Sequence, residues 1–98
     1  MKAIYKAPNE QPKLIDIENS LEALQAAVGG YIETITVTSD ACIICNEEGR
    51  LLNLPFNCKL CGKNFVGPLL VVGVDGDEFT DLYRPECTAR LFFGDGCV

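Results

Sequence analysis

The chain has 98 residues, 48% of them apolar, with fourteen acids against eight bases, a formal charge of −6, and no histidine. That length is one domain, the apolar content is that of a folded protein, and no apolar run approaches the roughly 20 residues that span a bilayer. The acidity disfavours a phosphate-binding surface, and the missing histidine removes Ser-His-Asp and Cys-His nucleophile systems and every histidine-containing zinc site.

Met1 to Lys13 is charged and lacks an apolar h-region, so it does not read as a secretory signal. Cys97 is next to last, which does not fit a prenylation motif. The expectation is a cytoplasmic protein without direct nucleic-acid or membrane contacts.

In chain order, Lys2–Ala7 is a short apolar strand, Pro8-Asn9-Glu10-Gln11-Pro12 a turn, and Leu14, Ile15 and Ile17 a returning strand. Asn19 with Glu22 three residues later has the spacing of a capping box. Leu21, Leu24, Ala27 and Val28 then share one helical face, and Gly29-Gly30 ends the helix. Tyr31–Thr38 is rich in β-branched residues and predicts a strand, and Ala41–Cys45 predicts another. Arg50–Asn57 reads as a short helix or turn around Pro55.

Phe65–Val74 holds Gly67-Pro68 and then Leu69-Leu70-Val71-Val72, a continuous apolar run that suits a central strand covered on both faces. Asp75-Gly76 is a turn. Pro85–Phe93 predicts a closing helix with proline in its first turn. The fold class that results is α+β: residues 1–98 as a single small domain, mainly antiparallel sheet, with one well-capped helix after an N-terminal hairpin and a short C-terminal helix.

Cys42, Cys45, Cys58 and Cys61 make a C-x2-C-x12-C-x2-C series, the spacing with which two thiolate pairs hold one tetrahedral zinc. Gly62 suits a metal knuckle, and a structural zinc would support a small core. Against this, Cys42-Ile43-Ile44-Cys45 looks like strand, where residues i and i+3 point to opposite faces. Buried cysteine also serves as a small apolar side chain. The expected cofactor is none, with one structural zinc left open.

Asp75, Asp77, Glu78 and Asp81 cluster near a turn without the calcium-loop pattern. They read, like Glu47 and Glu48, as solvated acids available to a basic partner. Tyr83, Phe92 and Phe93 are aromatic candidates for anchoring a partner, with packing of the last helix as the alternative. The partner-contact set is therefore Glu47, Glu48, Asp75, Asp77, Glu78, Tyr83, Phe92 and Phe93. Glycines 29, 30, 67 and 73 would permit close backbone approach to phosphates.

Val28-Gly29-Gly30-Tyr31-Ile32-Glu33, Cys45-Asn46-Glu47-Glu48-Gly49, Leu54-Pro55 with Asn57, and Gly67 with Val71-Val72-Gly73 form an ordered series. The series, spread from Lys2 to about Leu82, resembles a family of small phage and mobile-element proteins known as a domain of unknown function. Two departures stand out: Cys58 where that family usually continues with arginine, and the short Cys58–Lys63 hairpin where it usually has a longer charged one. The cysteine quartet is thus not a trait of the resemblance.

What the resemblance implies is a non-enzymatic accessory protein that binds and inhibits a host defence effector, such as a CRISPR nuclease. The alternatives are a protein that sequesters a nucleotide messenger and a zinc-stabilised regulatory or adaptor module. A homodimer is compatible with an exposed sheet edge.

Overall fold

A computed structural model describes residues 1–94; Cys97 lies outside the described residues. Ten elements follow in order: β1 (Lys2–Lys6), β2 (Lys13–Asp16), α1 (Leu21–Val28), β3 (Ile32–Thr38), β4 (Ala41–Asn46), β5 (Phe56–Leu60), β6 (Lys63–Val66), β7 (Leu69–Asp75), β8 (Glu78–Thr80) and α2 (Pro85–Phe93). The protein is a small α+β domain with a mainly antiparallel sheet.

The main sheet runs β2-β1-β7-β4-β3, and β8 pairs with the far half of β7. Every pairing is antiparallel, with Ile4 opposite Val71 and Ile43 opposite the same residue on the other side. β7 is thus the central strand. Its Leu69, Leu70, Val71 and Val72 are fully buried, which is why this stretch reads as unbroken apolar sequence instead of alternating.

Alternation sorts the core into two layers. On one face Leu24 and Val28 of α1 cover Ala3, Cys42, Ile44, Leu70 and Val72. On the other, Leu60 and Phe65 of the β5–β6 hairpin, Leu82, and Ala89 of α2 cover Ile4, Ile43, Cys45, Leu69 and Val71. Each fully buried aliphatic side chain contributes roughly 1.5–3 kcal/mol relative to exposure.

Several local expectations need correction. The N-cap of α1 is Ser20 and not Asn19: Ser20 is extended (φ −138°, ψ 150°) and its Oγ accepts from the Ala23 amide at 3.2 Å. Asn19 is drawn away, its Nδ2 donating to the Phe79 carbonyl at 2.9 Å. Leu21 at the start of the helical face stays exposed. The C-terminal stop is as expected, with Gly29 left-handed at φ 80° and its amide donating to Gln25 O.

The Phe65–Val74 run is two strands. Gly67, at φ +71°, and Pro68 separate β6, which pairs with β5, from β7 in the main sheet. Of the two readings of Arg50–Asn57, helix or turn, the turn holds as far as Asn53, and β5 starts at Phe56. Glu78, expected in an acidic turn, instead starts the short strand β8. Among the described residues, no helix is long and apolar enough to cross a membrane.

Candidate functional site

Between β4 and β5 the chain leaves the sheet from Glu47 to Pro55 and returns as β5. Two buried asparagines hold the ends of this excursion. Asn46 Nδ2 donates to Val28 O at 3.1 Å, and its Oδ1 accepts from the Glu48 amide at 2.8 Å. Asn57 Nδ2 donates to both Lys6 O and Gly67 O at 2.8 Å, and its Oδ1 accepts from Lys6 Nζ at 2.8 Å.

The loop is also closed internally. Gly49 N donates to Asn46 O, Leu52 N to Glu48 O, and Leu54 N to Gly49 O. Arg50 Nη2 reaches Asn64 O on β6 at 3.1 Å. Leu54 folds inward onto Gly67, where a Cβ would come within 2.6 Å of Leu54 Cδ1. With Leu54 turned in, Leu51 and Leu52 point out, 81% and 55% exposed, beside the exposed Glu47 and Glu48. A cleft of about 240 Å³ opens beside the loop, with Glu33, Cys45, Glu47 and Arg50 among its walls.

On the other side of β5 lies a wider groove of about 630 Å³. Phe56, Phe92, Phe93, Cys58 and Leu60 form its apolar wall, and Lys6 and Lys59 are its basic residues.

The residues named from sequence do not assemble into one surface. Cys45 pairs with Leu69 and Ala41 with Gly73, so Glu47 and Glu48 leave one end of the sheet while Asp75, Asp77 and Glu78 turn at the other. The two acidic groups are about 26 Å apart at ~3.3 Å per strand residue. Asp81 has a local structural role, its Oδ1 accepting from the Lys2 amide at 2.7 Å. Tyr83 is 68% exposed with the Arg84 guanidinium 5.3 Å above its ring. Phe92 and Phe93 are half-buried against the core, edge to face at 6.1 Å, and so anchor α2 as well as lining the groove.

The cysteine quartet is not brought together. Cys42 is buried under α1, and Cys45 is buried on the opposite face of the same strand. Cys58 is half-buried, and Cys61 is exposed at the β5–β6 turn with φ 52°. Among the described residues no three His, Cys, Asp or Glu side chains converge on a point where an ion would sit. Strand alternation is the reason that Cys42 and Cys45 part to opposite faces of the sheet. Burial pushes the Cys42 and Cys45 thiols up; at Cys45 Glu33 adds to this and Lys63 opposes it. Burial also raises Cys58, with Lys6 opposing it.

The glycines do not form a phosphate cradle either. Gly30 sits against Asn46, Gly67 against Leu54, and Gly73 against the Asp81 carbonyl; of these four glycines Gly29 alone is open.

The loop and groove residues Leu51, Leu52, Phe56, Lys6 and Lys59 are absent from the sequence-derived set. A signal was present in Leu51-Leu52-Asn53-Leu54-Pro55-Phe56, which packs four large apolar residues into a stretch with neither helical nor strand period.

Residues 1–91 match the family model described as a domain of unknown function, DUF3846. The chain belongs to this family. No curated protein and no solved structure matches it. In this DUF3846 chain the residues that carry the resemblance lock one another together. Gly30 makes room for Asn46, Asn46 ties α1 to the loop, and Gly67 makes room for Leu54. Asn57 joins β1 to the β6–β7 break. They build the platform from which the loop projects.

Proposed function

We propose that this protein is a non-enzymatic binding module that docks on a larger protein through the Glu47–Pro55 loop. The observation that carries the reading is the exposure of Leu51 and Leu52 on a loop whose backbone is already fixed. A loop ordered before contact loses little conformational entropy on binding, and adjacent apolar side chains supply the buried centre that an interface needs. Glu47 and Glu48 beside them favour a partner with a basic rim, and the net charge of −6 speeds that encounter.

In its specific form, the partner is a host defence effector such as a CRISPR nuclease, which the protein inhibits by occupying it. That form rests on the resemblance to small phage and mobile-element proteins and on the acidic surface. The test has two steps. Affinity capture from a host lysate, read by mass spectrometry, is expected to return one large defence protein in stoichiometric amount. Purified effector is then assayed for cutting with and without the protein. Unchanged cutting at saturating protein removes the inhibitor reading, and an eluate holding only the bait removes the protein-partner reading.

A further inference from the structure

We propose that the groove between β5, the β1–β2 turn and the end of α2 binds a small anion carrying an aromatic ring. The apolar wall is unusual for a surface position. Phe56 is 58% exposed, and half-buried Phe92 and Phe93 stand edge to face beside it. Aromatic side chains left open together favour a flat apolar partner, because stacked or edge-to-face rings attract one another beyond the burial of their area. The volume of about 630 Å³ lies in the range that takes a small molecule.

Charge decides the class of ligand. Lys6 and Lys59 both line the groove in a chain that carries only eight bases. Lys6 Nζ is held by two neutral oxygens, Ala7 O and Asn57 Oδ1, each at 2.8 Å. Among the described residues no carboxylate lies within 4.0 Å of it, so half-buried Lys6 lines the groove with two of its three N–H groups spent on neutral oxygens and one left to donate. Glu10, the acid in the lining, is 3.6 Å from Lys13 and partly offset by it. Asn9 and Gln11 add neutral polar groups on the turn. An anion fixed by Lys6 and Lys59, with its ring against Phe56, uses all of these features. Phosphate on a nucleobase-bearing ligand and carboxylate on an aromatic acid share this chemistry.

The full-length protein is titrated with 1-anilinonaphthalene-8-sulfonate and, in parallel, with its uncharged parent N-phenyl-1-naphthylamine, following fluorescence. Saturable one-site binding is expected. Lys59→Glu should weaken the sulfonate about tenfold and leave the uncharged dye unchanged, since reversing one nearby charge acts on the anion alone. Phe56→Ala should weaken both dyes. Lys63→Glu, the same charge change outside the groove, should alter neither.

Competition then assigns the source. Displacement by adenosine monophosphate points to a nucleotide, and displacement by phenylacetate points to an aromatic acid. Absence of saturable sulfonate binding overturns the proposal. So does equal weakening by Lys59→Glu and Lys63→Glu, which would reflect bulk charge. Bound dye displaced by neither competitor also overturns it, as an adventitious dye site.

Discussion

Asn46, at the last position of β4, donates from Nδ2 to the carbonyl of Val28, the last residue of α1, at 3.1 Å. A helix leaves its final carbonyls without intrahelical donors, and here one of them lies in a buried setting where water does not reach. The same side chain accepts from Glu48 N at 2.8 Å, so one amide stitches helix, strand and loop together. Asn46→Leu leaves the Val28 carbonyl and the Glu48 amide unpaired together, an expected loss of about 2–4 kcal/mol. Asn46→Asp keeps the acceptor and loses the donor, for about 1–3 kcal/mol. Urea unfolding of the three proteins checks this, and a midpoint for Asn46→Leu equal to the parent would sink the account.

Gly73 on β7 lies directly under the chain returning from β8, and a Cβ there would run into the Asp81 and Thr80 carbonyls. Both are backbone atoms, so relief requires β8 to move away from β7. Gly73→Ala should therefore cost more than about 2 kcal/mol, as overpacking against an immovable neighbour does. Gly76 in the β7–β8 turn has open space around its Cβ position but φ +64°. Gly76→Ala should cost only about 1 kcal/mol, the penalty of a left-handed alanine. Thermal unfolding of the pair checks the order, and equal costs would mean that the close approach to β8 is not what requires glycine.

How much of this was readable from residues alone depended on whether the deciding interaction was local. The β1–β2 hairpin, the Gly29 stop of α1, β3, β4 and α2 all declare themselves through turn chemistry, period or a first-turn proline. Ser20 displaced Asn19 as the cap because Phe79, sixty residues away, offers Asn19 a carbonyl. Gly67-Pro68 stands between apolar residues, and that it parts two sheets depends on distant partners: Leu54 packs onto Gly67, the Gly67 amide donates to the Pro55 carbonyl, and the Gly67 carbonyl accepts from Asn57. Asn46 and Asn57 were visible as pattern but not as hydrogen-bond hubs, since their partners come from other elements. The exposure of Leu51 and Leu52 is not legible in the sequence, because it is decided by which residue turns inward, and that residue is Leu54.

The thiols should separate by burial. Cys61 and Cys87 are exposed and should react with a disulfide reagent within the mixing phase, with half-buried Cys58 slower. Cys42 and Cys45 should react only as fast as the protein opens. Burial raises both pKa values above the ordinary 9.0. Below 9.0 both states keep the proton and the thiols are neutral to stability. Above it the unfolded chain ionises first, binds fewer protons than the native state, and is favoured. Stability should therefore fall from about pH 9 up to the raised native values. Melting temperatures between pH 8 and 10.5 measure this. Cys42→Val with Cys45→Val should flatten the fall, and an unchanged slope would mean that other groups cause it.

The loop reading makes the sharpest separation between stability and binding. Leu51 and Leu52 are exposed, and the backbone bonds that hold the loop run through Asn46, Glu48, Gly49 and Leu54. Leu51→Asp with Leu52→Asp leaves those bonds in place and adds charge only where water already reaches. Unfolding free energy should stay within about 0.5 kcal/mol per site of the parent, as for surface changes away from packed contacts. Partner affinity should fall by about 2 kcal/mol or more, roughly thirtyfold, because two buried interface anchors would become desolvated charges. Leu14→Asp, an apolar-to-acid change on β2 with Leu14 only 38% exposed, is the control and should leave partner affinity unchanged. Equal loss of affinity from the loop pair and from the β2 change would point to general charge repulsion, and full retention of binding by the loop pair would place the contact elsewhere on the molecule.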